Sequence, residues 1–228
     1  MSNVVAIVEG RTEQIFVRDH LAAYLGARGV YMTAQQQGGV GSWKSVRGDI
    51  LDTLWEWHGK CVCTTMFDYY AMPTDWPGRT AASKMPQAQK GRHVEQALLD
   101  DLAAHAGADF RRELFIPYVQ VHEFEAILFA GVTTMATALA EVCRRSADDL
   151  NSAFQTILDE SGQAEAINDS YDTCPSRRIT GLVRAYNKTV HGPIIAGRIG
   201  LDTIRAACPH FGQWLGRLEA LGAGIATM

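Results

Sequence analysis

Residues 4–8 read Val-Val-Ala-Ile-Val, and the run stops at Glu9-Gly10. Five apolar residues in a row, most of them β-branched, predict a short strand buried on both faces. A helical pattern with Ile15, Phe16, Leu21 and Leu25 follows within a few residues. Strand, sharp turn and helix is the opening of an α/β unit, whose ligands collect beyond the carboxyl ends of the strands. Glu9 stands at such an end, and Gly10 permits the tight turn. The alternative is that Glu9 only begins a loop and Glu13 is a solvated first-turn acid favoured by the helix dipole.

The same alternation continues. Strands are expected at 4–8, 30–35, 61–67 and 114–121, and helices at 12–28, 43–57 and 93–106, with Thr12 as the first N-cap. Residues 69–90 hold Pro73, Pro77, Gly78 and Pro86 and read as a long irregular loop. Beyond Thr133 the pattern is helical, at 135–145, 147–161, 176–186, 201–207 and 211–221. The expected fold is therefore α/β: a mainly parallel four-stranded sheet flanked by helices over residues 1–132, with a helical part over 133–228.

Composition narrows the class. With 47% apolar and 20% charged residues in 228, a folded chain is expected. The net charge of −4 does not mark a nucleic-acid binder, but its distribution is uneven. Residues 176–217 carry seven basic side chains and one acid, residues 139–172 two basic and eight acidic, and residues 79–93 four basic and none acidic. Five cysteines without a CxxC pair suit reduced, structural thiols and a cytoplasmic setting. With a strand opening the sequence, no signal peptide is expected, and no apolar run reaches membrane-spanning length.

Three of the four expected strands end in acid: Glu9, then Asp68, then Glu123 with Glu125. Parallel strands bring such ends to one edge. Clustered carboxylates repel unless a cation balances them, and hard oxygen donors favour Mg²⁺ or Mn²⁺. Such an ion can orient a phosphodiester and activate water. The alternative is that each acid caps a helix or faces solvent. No phosphate-cradling loop ending in GKS/T is present, so nucleotide hydrolysis would need a partner.

The block Val8-Glu9-Gly10-Arg11-Thr12-Glu13 after a buried strand resembles the opening motif of the Toprim domain of topoisomerases, primases and overcoming-lysogenization-defect nucleases. Residues 61–68 resemble its later strand, which ends in Asp-x-Asp. Further blocks are similar to a Toprim-like bacterial family often encoded beside an ATPase. These are Phe67-Asp68-Tyr69-Tyr70, His122-Glu123-Phe124-Glu125-Ala126, Tyr186-Asn187-Lys188, and Ile199-Gly200-Leu201 through Cys208-Pro209-His210-Phe211 with Trp214. The resemblance implies a Toprim-like fold and a metal-dependent nuclease acting in antiviral defence with a partner ATPase, on DNA in preference to RNA.

Carried over by residue, Glu9 matches the Toprim glutamate and Asp68 the first Asp of the pair. Tyr70 occupies the second Asp position, and a phenol is a poor Mg²⁺ ligand at neutral pH. Glu123 or Glu125 is expected to supply the missing carboxylate, with Glu13 in support. Lys188 is expected to steady the scissile phosphate, and Arg79, Lys84, Arg177 and Arg178 to hold the nucleic-acid backbone. Tyr69, Tyr70 and Trp76 with Arg79 mix aromatic and basic groups as stacking sites do. Against these stand blander readings: a surface Lys188, Arg177 and Arg178 paired with the acidic 139–172 region, a hydrogen-bonded His122 in place of a general base, and a 69–90 loop whose Tyr69, Tyr70 and Trp76 pack on the sheet. Tyr70 also keeps open a decayed, non-cleaving regulatory or sensor subunit, and phosphoryl transfer or hydrolysis on a nucleotide or small phosphate is a third option.

Overall fold

The computed structural model of the chain describes residues 2–167 and 171–223. The chain divides into two units, one running to Val121 and resuming at Trp214, the other spanning His122–Gln213. The first boundary thus falls ahead of the expected 132, and the final helix returns to the first unit.

The first unit is an α/β layer structure built on a parallel sheet. Strand β1 (Ser2–Val8) leads into a continuous helical stretch: α1 (Arg11–Phe16), a π-helical piece (Val17–Leu21) and α2 (Ala22–Gly26). Strand β2 (Val30–Gln36), helix α3 (Trp43–Glu56) and strand β3 (Cys61–Asp68) follow. Short α4 (Arg79–Ala82) and long α5 (Gln87–His105) come next, and β4 (Phe115–Ile116) and β5 (Val119–Gln120) complete the sheet. The order is β2-β1-β3-β4, with β5 also beside β3, and every pairing is parallel.

The apolar runs of β1 and β3 follow from their central places. Val5 and Ile7 of β1 join Cys61, Cys63 and Phe67 of β3 in one core with Val46, Ile50 and Leu54 of α3 and Val94, Leu98 and Leu102 of α5. Val4, Ala6 and Val8 point to the other face and are equally buried. β2 is an edge strand: Val30 and Met32 are buried while Tyr31 is exposed.

The single strand expected at 114–121 is two short pieces. Pro117 lies between them and has no N–H for the ladder. Side chains take over there. Thr65 Oγ1 donates to Tyr118 O and accepts from Tyr118 N, both at 3.0 Å, and Glu95 Oε1 accepts from Val119 N at 2.8 Å. These bonds satisfy the hydroxyl of buried Thr65. The expected loop 69–90 is also partly helical. Pro86 caps α5, which begins at Gln87 and not at His93. Trp76 and Tyr69 are buried, and Trp76 donates to Gly41 O at 3.0 Å.

The second unit is helical: a 3-10 segment (Phe124–Gly131), then α6 (Val132–Ala140), α7 (Ala147–Ser161), α8 (Pro175–Leu182), α9 (Lys188–Ile199) and α10 (Leu201–Ala207). Helix α9 falls where the sequence reading assigned nothing. Its N-cap is Asn187, whose Oδ1 accepts from Thr189 N at 3.1 Å. Phe129 and Phe154 meet edge-on at 5.9 Å in the buried part of this unit.

Helix α11 (Pro209–Ala223) carries the chain back to the first unit. Trp214 stacks on Tyr118 at 4.5 Å and donates from Nε1 to Thr64 Oγ1 at 2.8 Å. Further along, Glu219 accepts from Tyr24 OH at 2.9 Å, and Leu221 O accepts from Ser2 Oγ at 2.8 Å. Gly222 permits the approach: a Cβ there would stand 2.0 Å from Arg28 O. All five cysteines are free. No helix among the described residues is long and apolar enough to cross a membrane.

Two outcomes test this packing. Trp214→Ala is expected to cost about 3–5 kcal/mol in urea unfolding, as for other buried aromatics; a loss below about 1 kcal/mol would remove the helix from the core. Asp101 accepts from Trp43 Nε1 at 2.6 Å and Arg47 Nη1 at 2.7 Å. Burial pushes its carboxyl up, but these bonds together outweigh burial, and its pKa lies below the usual carboxylate value. Its stabilisation is therefore complete above the unfolded value of about 3.9 and lost as pH falls through the lower folded value. Asp101→Asn is expected to cost about 1.5–3 kcal/mol near neutral pH and much less in acid.

Candidate functional site

Glu9 is the first residue past β1, and Asp68 the last of β3. Parallel pairing sets Val8 opposite Met66, and the ladder extends one step further as Glu9 N donates to Met66 O at 3.1 Å. This register sets Glu9 level with Phe67, one residue short of Asp68, with both acids at the carboxyl edge of the sheet. Glu9 Oε2 accepts from Asp68 N at 3.1 Å. Asp68 is 7% exposed and Glu9 half-buried, so both lie at the rim of the core.

The turn after Glu9 differs from expectation. Gly10, not Thr12, is the N-cap of α1, in an extended conformation. Glu13 reaches back, and its Oε2 accepts from Gly10 N at 3.0 Å. Glu13 is buried at 4% exposure, so it is not the solvated first-turn acid of the alternative reading. Thr12 is buried as well, one turn-step before it.

Among the described residues, no group of three or more His, Cys, Asp or Glu side chains is placed to hold a metal ion as a set. The donors at the Glu9–Asp68 edge are nonetheless all hard carboxylate oxygens. Mg²⁺ commonly takes one or two protein carboxylates and completes its shell with water and substrate phosphate, without an all-protein cage. Glu9 and Asp68, at the ends of neighbouring strands, are carboxylates that such a mode would use.

Past Asp68 the chain makes one 3-10 turn, Tyr69–Ala71. Tyr70, in the place of a second Asp, is 44% exposed, and its OH accepts from Lys90 Nζ at 3.3 Å. Arg79 Nη1 donates to Tyr69 OH at 2.8 Å. Lys84 is exposed. The reach of Lys90 to Tyr70 was not read from the sequence; the only signal was the acid-free basic stretch that contains it.

The remaining candidates lie in the second unit, where each described contact has a local meaning. Glu123 Oε2 accepts from Ser176 N at 2.9 Å, and so caps the first turn of α8. Glu125 is fully buried and its Oε1 accepts from Tyr186 OH at 3.2 Å. Burial, the charge of Glu125 and this bond together push the Tyr186 phenol well above its ordinary pKa, so it remains a donor. His122 is buried. Lys188 is exposed at the first position of α9. Arg177 approaches Asp172 at 4.0 Å, and Arg178 reaches Glu160 at 3.4 Å and Thr173 O at 3.0 Å. Both arginines thus engage the acidic 139–172 region, the intrachain pairing weighed against backbone binding.

No curated protein and no solved structure matches the chain. A family model matches residues 8–219, a span that includes Glu9, Asp68 and every other candidate above. The chain belongs to the family described as Domain of unknown function (DUF4276).

Proposed function

We propose that the chain is a Toprim-like, metal-dependent nuclease whose working edge is the carboxyl end of β1 and β3. The observation that carries this reading is the hydrogen bond from the Asp68 backbone N–H to the Glu9 carboxylate, which ties together the acid-bearing ends of two parallel strands 59 residues apart. Under it, Glu9 and Asp68 would hold Mg²⁺ or Mn²⁺, and Glu13 would fix the Gly10 turn that presents Glu9. The ion would supply charge for a phosphodiester oxygen and a more acidic water. The protein's own share is positional: the Asp68 N–H orients the Glu9 carboxylate, and the buried strands beneath keep both acids from moving apart. The resemblance adds nucleic acid, with DNA favoured, and a partner ATPase as the setting in which such cleavage would serve antiviral defence.

A second reading rests on Tyr70. Its phenol, tied to Lys90, stands where Toprim nucleases carry a second carboxylate. On this reading the chain is a regulatory or sensor subunit that binds a partner and does not cleave.

Plasmid nicking with Mn²⁺ tests the first reading. Glu9→Gln and Asp68→Asn are each expected to lower the rate by about a hundredfold or more, as when one transition-state contact is removed, with unchanged thermal melting. Normal nicking by both variants would sink it. Calorimetry separates the two readings: binding of Mn²⁺ that Asp68→Asn removes supports the nuclease, and no heat at millimolar Mn²⁺ supports the regulator.

A further inference from the structure

Next to Asp68 lies an aromatic and cationic cluster, all within the first unit. The rings of Tyr69 and Tyr70 meet edge-on at 5.1 Å and 89°. Tyr69 is buried and anchors the pair, while Tyr70 turns 44% of its surface to solvent. Two cations from different helices close on them. The Arg79 guanidinium of α4 sits 3.9 Å over the Tyr69 ring. The Lys90 ammonium, from the first turn of α5, lies 5.5 Å from the Tyr70 ring and bonds its hydroxyl. Arg79 Nε is buried and has no hydrogen-bond partner among the described residues. The surrounding segment, residues 79–93, adds Lys84 and Arg92, both exposed, and contains no acid.

An internal packing role accounts for buried Tyr69. It does not account for a half-exposed tyrosine fixed beside two cations in an acid-free stretch. A flat ring with positive charge at its border is the arrangement that takes an unpaired base and its neighbouring phosphates. Duplex bases hide their faces, so the ring selects a single strand.

We propose that Tyr70, Lys90 and Arg79 form a seat for a single-stranded nucleic-acid segment, with one base stacked on Tyr70 and adjoining phosphates held by Lys90 and Arg79. The seat rests on the nuclease reading for its purpose, since it borders Asp68, but not for the binding itself.

Fluorescence anisotropy in EDTA tests it with the full chain. The probes are a short labelled oligothymidylate, its oligouridylate counterpart, and a duplex of equal length. A single strand is expected to bind at least about tenfold more tightly than the duplex, and the tighter of the two single strands identifies the sugar. Tyr70→Ala is expected to weaken that binding by about five- to a hundredfold, the effect of one stacked base, while Tyr70→Phe stays within about twofold because the ring is kept. Lys90→Gln should reduce the slope of log affinity against log salt by about 0.7, one phosphate contact on a single strand. Equal affinity of Tyr70→Ala and the unaltered chain, or duplex binding as tight as single-strand binding, would overturn the seat. In this metal-free assay Glu9→Gln and Asp68→Asn are expected to bind at least as tightly as the unaltered chain, since each removes a negative charge near the phosphates. Loss of nicking in those variants with no effect of Tyr70→Ala would leave the nuclease and remove the seat. Normal nicking with lost Tyr70→Ala binding would do the reverse.

Discussion

Burial of β1 and β3 on both faces is the constraint from which the rest follows. A carboxylate inside either strand would be stranded away from water at a cost of several kcal/mol, about 2–7 even for an uncharged polar group. The first acids along these strands therefore fall at their ends, Glu9 and Asp68. Parallel pairing places both ends on one side. The reach of the Glu9 carboxylate to the Asp68 N–H is thus a result of core burial and register together, before any ligand is considered.

Carboxylates satisfy helix ends in both units. In the second, Glu123 caps α8 through Ser176 N, and Glu165 accepts from His210 N and Phe211 N, both at 2.9 Å, at the start of α11. Pro209 occupies the first position of that helix, where its missing N–H costs nothing. These acids satisfy helix ends. Glu13 does the same for Gly10. Glu9 and Asp68 belong to strand ends, and the Glu9 carboxylate bonds across to the backbone of another strand.

What the sequence made legible was governed by range. The unbroken apolar runs marked β1 and β3, and the reversal of charge between 139–172 and 176–217 anticipated Arg177 with Asp172 and Arg178 with Glu160. The break at Pro117 was visible as a residue but not as a split strand, because Thr65 and Glu95 supply the missing bonds from elsewhere. Helix α9 ran against propensity at Gly192-Pro193; burial of Ile195, Ala196 and Ile199 decides the matter there. Tyr186 with Glu125, and Lys90 with Tyr70, join distant or irregular segments. No periodicity encodes such pairs.

The return of α11 has a consequence for how the molecule comes into being. Thr64 and Trp214 are 150 positions apart, yet they share a hydrogen bond in one unit. On the ribosome the sheet emerges long before the helix that covers Thr64 and Tyr118. Until the final segment leaves the exit tunnel, that apolar face has no lid, and the nascent chain must wait with it open to chaperones or to other unfinished chains.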